Sequence, residues 1–173
     1  MSLKEISIAI RDIPDFPKKG IIFKDITPVL HSGALFAEVT DILYSMYKNN
    51  IPDYIVAIES RGFIFGSALA YKMGCGIVPV RKKGKLPYKT IDMTYDLEYG
   101  TATVEVHEDA LKKGDSVVLI DDLLATGGTA AASIKLVEKL GAKIIGVNFL
   151  IELEFLKGRE RLAGYKVDSL IKM

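Results

Sequence analysis

Two kinds of apolar pattern alternate along the chain. Short continuous apolar runs at 54–58 (YIVAI), 76–80 (GIVPV), 117–120 (VVLI) and 143–151 (KIIGVNFLI) carry the signature of strands buried on both faces of a parallel sheet. Between them, apolar residues return every three or four positions. Leu35, Phe36, Val39, Ile42, Leu43, Met46 and Tyr47 predict an amphipathic helix over 34–49, and a second helix is expected from Phe63 to Met73. A third runs from the glycines at 127 and 128 to about Leu140. Leu3, Ile6 and Ile10 share one face of a short N-terminal helix that ends before Pro14 and Pro17. Residues Thr101 to Val106 alternate as a strand, Glu108 to Lys113 read as a helical turn, and Val167 to Ile171 read as an edge strand.

Two stretches resist such assignment. Gly20 to Leu30 is too short, and too broken by Gly20 and Pro28, to be a regular core element. Leu86 to Gly100 has no clean periodicity and reads as a functional lid. Strand–helix alternation elsewhere predicts an α/β fold: a Rossmann-like central parallel sheet flanked by helices, with a small hood from the N- and C-terminal segments.

Composition narrows the field. A chain of 173 residues, 49% apolar, is expected to form one domain, 1–173, around a single core. A net charge of +1 argues against a general nucleic-acid surface. Cys75 is the only cysteine, which excludes an internal disulfide and a cysteine-based zinc site, and it is expected to be a buried structural thiol. His31 and His107 lie far apart in sequence and suggest no metal cluster. Without a secretory signal or an apolar run approaching ~18 residues, a cytoplasmic protein with no membrane partner is expected.

Candidate chemistry gathers where strands end. After VVLI come Asp121 and Asp122, then Ala125-Thr126-Gly127-Gly128-Thr129 at the start of a helix. Glycines let backbone approach a ligand closely, the first N–H groups of a helix point outward with partial positive charge, and the threonines add hydroxyl donors. Such a nest suits a monophosphate, and the paired aspartates suit the vicinal hydroxyls of a ribose; a threonine-capped polar turn is the plainer alternative. Neither a Walker lysine nor GxGxxG is present. Glu59-Ser60-Arg61 repeats the strand-end theme, with Arg61 either clamping phosphate oxygens or paired to Glu59. Arg81, Lys82, Lys83 and Lys85 form either a solvated face or the cationic field a pyrophosphate needs. Phe23 is a core aromatic or a stacking plate for a flat base, and Leu153 is core or part of a ligand's floor.

The string DDLLATGGT resembles the phosphoribosyl pyrophosphate motif of the type I phosphoribosyltransferases, in the form carried by members acting on adenine. GIIFKDITPVL, ESRGFIFG, RKKGKLP, LEYG and LKGRERL agree, so the resemblance covers nearly the whole chain. It implies the type I phosphoribosyltransferase fold and transfer of the phosphoribosyl group from phosphoribosyl pyrophosphate to adenine, giving AMP and pyrophosphate. It implies donor binding by Glu59, Ser60, Arg61, Arg81, Lys82, Lys85, Asp121, Asp122 and Ala125 to Thr129, often with a cis peptide before the residue matching Ser60. An adenine pocket of Ile22, Phe23, Lys24 and Leu153 is implied too. Magnesium (Mg2+) would be held mainly by ligand oxygens and water, with no dedicated protein cage. Arg61, Glu98 and Tyr99 form the expected catalytic set, Glu98 moving the proton of adenine. A homodimer is implied by the family alone. A 6-oxopurine transferase and a donor-sensing regulator are the alternatives.

Overall fold

The computed structural model describes residues 2–96 and 100–173. It divides into two compact units, the first ending at Met46 and the second spanning Tyr47–Met173.

In the first unit, helix α1 (Leu3–Ala9) starts where the Ser2 N–H donates to Glu5 Oε2 at 2.7 Å, an acidic side chain meeting the helix's positive end. Strands β1 (Arg11–Pro14) and β2 (Ile22–Asp25) pair antiparallel, with Arg11 opposite Asp25 and Asp12 opposite Lys24. Both cross-strand pairs carry ion contacts, at 2.7 Å and 2.6 Å. Helix α2 (Thr27–His31) follows with Pro28 in its first turn, and α3 (Gly33–Tyr47) begins in this unit. The stretch read as irregular from sequence therefore holds a strand and a helical turn. The Thr27 hydroxyl and N–H, helped by Arg11 against the effect of burial, hold the Asp25 carboxyl at about 2.

The second unit is built on one sheet. In chain order its elements are β3 (Tyr54–Ile58), α4 (Gly62–Met73), β4 (Gly76–Lys82), β5 (Thr90–Asp96), β6 (Thr101–His107), β7 (Ser116–Leu124), α5 (Gly128–Lys139), β8 (Lys143–Glu152) and β9 (Val167–Lys172). The strand order is β5-β6-β4-β3-β7-β8-β9 among the described residues. β4, β3, β7, β8 and β9 are mutually parallel, while β6 runs antiparallel to both β4 and β5. Of the parallel strands, β3, β4, β7 and β8 contain the continuous apolar runs and β9 is the half-buried edge, and alternation along the inner strands sends side chains to two buried faces. One face takes α4, where Gly66 packs directly over Ala57, Ile120 and Ile55. Val56, Ile58, Val117 and Leu119 turn the other way, into a core shared with Ile134, Leu136 and Val137 of α5.

Four expectations change. Seven residues of the stretch read as a structureless lid form β5, which is half-exposed and antiparallel and so shows no buried-strand pattern. Residues 108–113 make turns rather than a helix. β7 runs on through Asp121 and Asp122 to Leu124, because β8 continues to pair with it there. Cys75 is only half-buried, at the approach to β4. Among the described residues no helix is long and apolar enough to cross a membrane.

Candidate active site

β3 passes into α4 through Glu59-Ser60-Arg61, and the Glu59–Ser60 peptide is cis, as the resemblance implies. The Glu59 carboxylate accepts the Lys82 N–H at 3.0 Å and Arg81 Nε at 3.3 Å. Burial alone would raise this carboxyl, but the Lys82 N–H and the Arg81 guanidinium outweigh it and hold it below the usual range. Arg81 also donates from Nη1 to the Lys85 carbonyl at 3.1 Å. Its guanidinium thus fixes the strand end and the cationic turn to each other. Arg61, at the head of α4, places Nε 2.8 Å from Asp122 Oδ2. The arginine that reaches Glu59 is Arg81.

Asp121 and Asp122 stand on the last residues of β7, where the rim begins. Asp121 Oδ1 accepts the Asp122 N–H at 2.8 Å. It occupies space that only a glycine at 62 leaves open, since a Cβ there would lie 2.9 Å from that oxygen. Burial and the neighbouring Asp122 charge push the Asp121 carboxyl well above its usual range. Burial raises Asp122 as well, opposed by its Arg61 partner. A pair short of compensating positive charge is poised to receive hydroxyl donors or a cation.

Beyond Leu124 the chain turns through Ala125 and Thr126 into α5. Gly127 holds φ at 78°, in the left-handed region, and its backbone lies against the carbonyl of Gly158, which in turn abuts Ala125. The nest is therefore backed by main chain. Thr126 to Thr129, with Ala125, Asp121 and Leu123, border a cavity of about 70 Å³. Glu59, Ser60, Arg61, Lys82, Asp121 and Asp122 border a second of about 300 Å³. Asp121 and Leu123 line both, so the two adjoin.

Most of the expected donor-binding residues thus meet at one rim of the second unit. Lys85 belongs to the adjacent turn, its side chain exposed. Lys83 is tied to Asp92 at 2.6 Å, which separates it from the other cations of that turn. Of the expected adenine residues, Ile22, Phe23 and Lys24 stand consecutively on β2 of the first unit. There the Phe23 ring meets Phe16 edge-on at 5.2 Å, and Lys24 pairs with Asp12. Leu153 directly follows β8 in the second unit and is buried, its N–H donating to the Leu124 carbonyl at 2.9 Å. Glu98 and Tyr99 lie outside the described residues.

Three participants escaped the sequence reading. Glu105 is buried on β6, and its carboxylate accepts the N–H groups of Lys85 and Leu86, both at 2.9 Å, and the Thr90 hydroxyl at 3.3 Å. Burial would raise it, but these donors hold it below the usual range and tie it to the turn after β4 that carries Lys85. An acid between Val104 and Val106 was the available signal. Gly158 buttresses the nest from within LKGRERL, a segment that also supplies Arg159 to clamp Glu152 (Nε to Oε1, 2.9 Å) and the Val167 carbonyl (2.6 Å). Tyr95 of β5 reaches Thr129, its hydroxyl 2.9 Å from Oγ1.

The phosphoribosyl transferase domain, as a family model, matches residues 25–171. The adenine phosphoribosyltransferase of Syntrophotalea carbinolica is 58% identical over 170 residues, covering 98% of this chain and 99% of its own. A crystal structure of adenine phosphoribosyltransferase from Thermoanaerobacter pseudethanolicus is similar at a TM-score of 0.96 and 54% identity, over 99% of this chain and 100% of that one. Another, from Saccharomyces cerevisiae and complexed with D-2,5-dideoxy-2,5-imino-altritol 1,6-bisphosphate and adenine, gives a TM-score of 0.92 at 42% identity, over 97% of each chain.

Proposed function

Because the chain belongs to the phosphoribosyl transferase family, we propose that it transfers the 5-phosphoribosyl group of phosphoribosyl pyrophosphate to adenine, giving AMP and pyrophosphate in purine salvage. The observation that carries this reading is the pair of adjoining cavities that share Asp121. The small one offers outward N–H groups and two threonine hydroxyls to a monophosphate. The larger one sets Arg61 and Lys82 around space for a pyrophosphate. Between them, Asp121 and Asp122 stand where ribose hydroxyls would donate. Relatives named for adenine, and a relative bound to a bisphosphate and adenine together, support the same assignment.

In this reading the protein positions and stabilises charge. Holding donor and base in line can remove on the order of 7–11 kcal/mol of barrier. Fixed donors on the departing pyrophosphate, chiefly Arg61, Lys82 and the N–H groups after the Glu59–Ser60 peptide, stabilise its growing charge. Glu59, Asp121 and Asp122 are hard oxygen donors beside the larger cavity. That donor set fits a magnesium ion held mainly by donor oxygens and water. Such an ion would offset pyrophosphate charge. Ile22, Phe23, Lys24 and Leu153 are assigned to adenine, and Glu98, with Tyr99 beside it, to the base's proton. The full chain acts as one catalytic domain, as a homodimer, in the cytoplasm.

The test is pyrophosphate release from phosphoribosyl pyrophosphate and magnesium with adenine, hypoxanthine, guanine or no base. Release with adenine alone is expected. Release with hypoxanthine or guanine would move the assignment to 6-oxopurines, and no release with any base would sink it.

A further inference from the structure

We infer that Tyr95 is a positioning residue for the donor's 5-phosphate, acting through the Thr129 hydroxyl and linking strand β5 to the phosphate nest. The inference rests on the assignment of the nest to a phosphate monoester.

Its basis is a constraint on protons. The Tyr95 and Thr129 hydroxyls are 2.9 Å apart, and each has one proton to give. A phosphate dianion in the nest only accepts. If Thr129 gives its single proton to the phosphate it has none left for Tyr95, so the 2.9 Å contact can only run with the Tyr95 O–H donating to Thr129 Oγ1. The direction is then fixed as Tyr95 to Thr129 to phosphate, and each bond polarises the next. Without Tyr95 the threonine hydroxyl is free to rotate.

The seat of the tyrosine is built to match. A Cβ on Gly128 would lie 3.0 Å from Tyr95 Cδ2 and 3.5 Å from both Cε2 and the Asp96 carbonyl oxygen. The ring therefore rests on the bare backbone of the first turn of α5. This gives Gly128 a second reason to be glycine: it admits phosphate on one side and a tyrosine ring on the other. β5 hydrogen-bonds along its length to β6, and Tyr95 is the residue that fixes its end to the nest helix.

The experiment compares wild type, Tyr95→Phe, Thr129→Ala and the double variant, measuring affinity for ribose 5-phosphate and for pyrophosphate by calorimetry. Phenylalanine keeps the ring on Gly128, so the melting temperature should fall by no more than about 2–4 °C, the share of one hydrogen bond in a chain of this size. Loss of one hydrogen bond should weaken ribose 5-phosphate about five-fold, leave pyrophosphate unchanged, and add nothing in the Thr129→Ala background. In steady state the KM for phosphoribosyl pyrophosphate should rise similarly while the KM for adenine holds. Unchanged ribose 5-phosphate affinity in Tyr95→Phe would overturn the inference. So would a five-fold loss that persists without the Thr129 hydroxyl, since the tyrosine would then act elsewhere. A wild-type protein that binds ribose 5-phosphate but releases no pyrophosphate with any base would refute the transferase reading while leaving the Tyr95 comparison valid.

Discussion

Replacing Gly127 by alanine tests whether the nest is held by main chain. Two costs can be worked from the geometry. The residue sits at φ 78°, and an L-residue in that region is disfavoured by about 1–2 kcal/mol. The new methyl would also drive into the Gly158 carbonyl, with its carbon 3.1 Å away and the Gly158 Cα at 3.3 Å; crowding of this kind costs about 1–3 kcal/mol. Together they amount to about 2–5 kcal/mol, which must appear in one of two places. If the backbone holds, folding stability falls by that amount in urea titration. If the loop shifts to relieve the clash, the nest opens and donor affinity falls instead, by about tenfold for each 1.4 kcal/mol. Gly158→Ala is the control: it carries no positive-φ penalty, but its methyl would strike the Ala125 carbonyl and lie 2.9 Å from the Gly127 nitrogen. Only the crowding part, about 1–3 kcal/mol, is expected there. A Gly127→Ala protein with stability within about 0.5 kcal/mol and donor KM within about two-fold of wild type would show that main chain does not hold the nest, because surface changes fall in that range.

Three further outcomes are expected. Asp121 has a carboxyl raised in the folded state, so its contribution to stability is full below the unfolded carboxylate pKa and is lost as pH rises through the folded value. Asp121→Asn should therefore be more stable than wild type at pH 7, the gap closing toward pH 4, while turnover is lost; urea titration across that range checks it. Glu105 is the reverse case: its carboxyl is lowered, so its support is present above the unfolded value and fades as pH falls through the folded one. Glu105→Leu leaves the Lys85 and Leu86 N–H groups without their acceptor and should cost about 1–3 kcal/mol, with a raised KM for phosphoribosyl pyrophosphate, read by denaturation and steady-state kinetics. Glu98→Ala should lower kcat by about 10²-fold or more with little change in donor affinity, and an unchanged kcat would remove Glu98 from proton transfer.

What the sequence disclosed follows from burial. β3, β7 and β8 were legible because strands covered on both faces must be continuously apolar. The β3 expectation matched residue for residue. β1, β2 and β5 were not, since strands with exposed or half-exposed residues throughout leave no such run. The nest and its aspartates were visible because glycine and carboxylate at a strand end have few other uses. Partner choice was less accessible. That Arg81 pairs with Glu59, and Arg61 with Asp122, depends on how three strand ends lie side by side. Glu105 hid because its three partners come from a turn and a strand fifteen to twenty residues upstream.

The antiparallel ribbon of β5 and β6 has a kinetic consequence. Its strands share seven paired positions with each other, but β6 meets β4 at only two, Arg81 opposite Glu105 and Lys82 opposite Val104. A ribbon so joined can open as a unit at a free energy below that of the parallel core. Its amides should exchange with deuterium together, ahead of those in β3, β7 and β8. Because the junction lies beside Lys82 and Tyr95 is latched at Thr129, a bound donor would touch both attachments, and protection should rise across residues 90–96 and 101–107 together upon saturation.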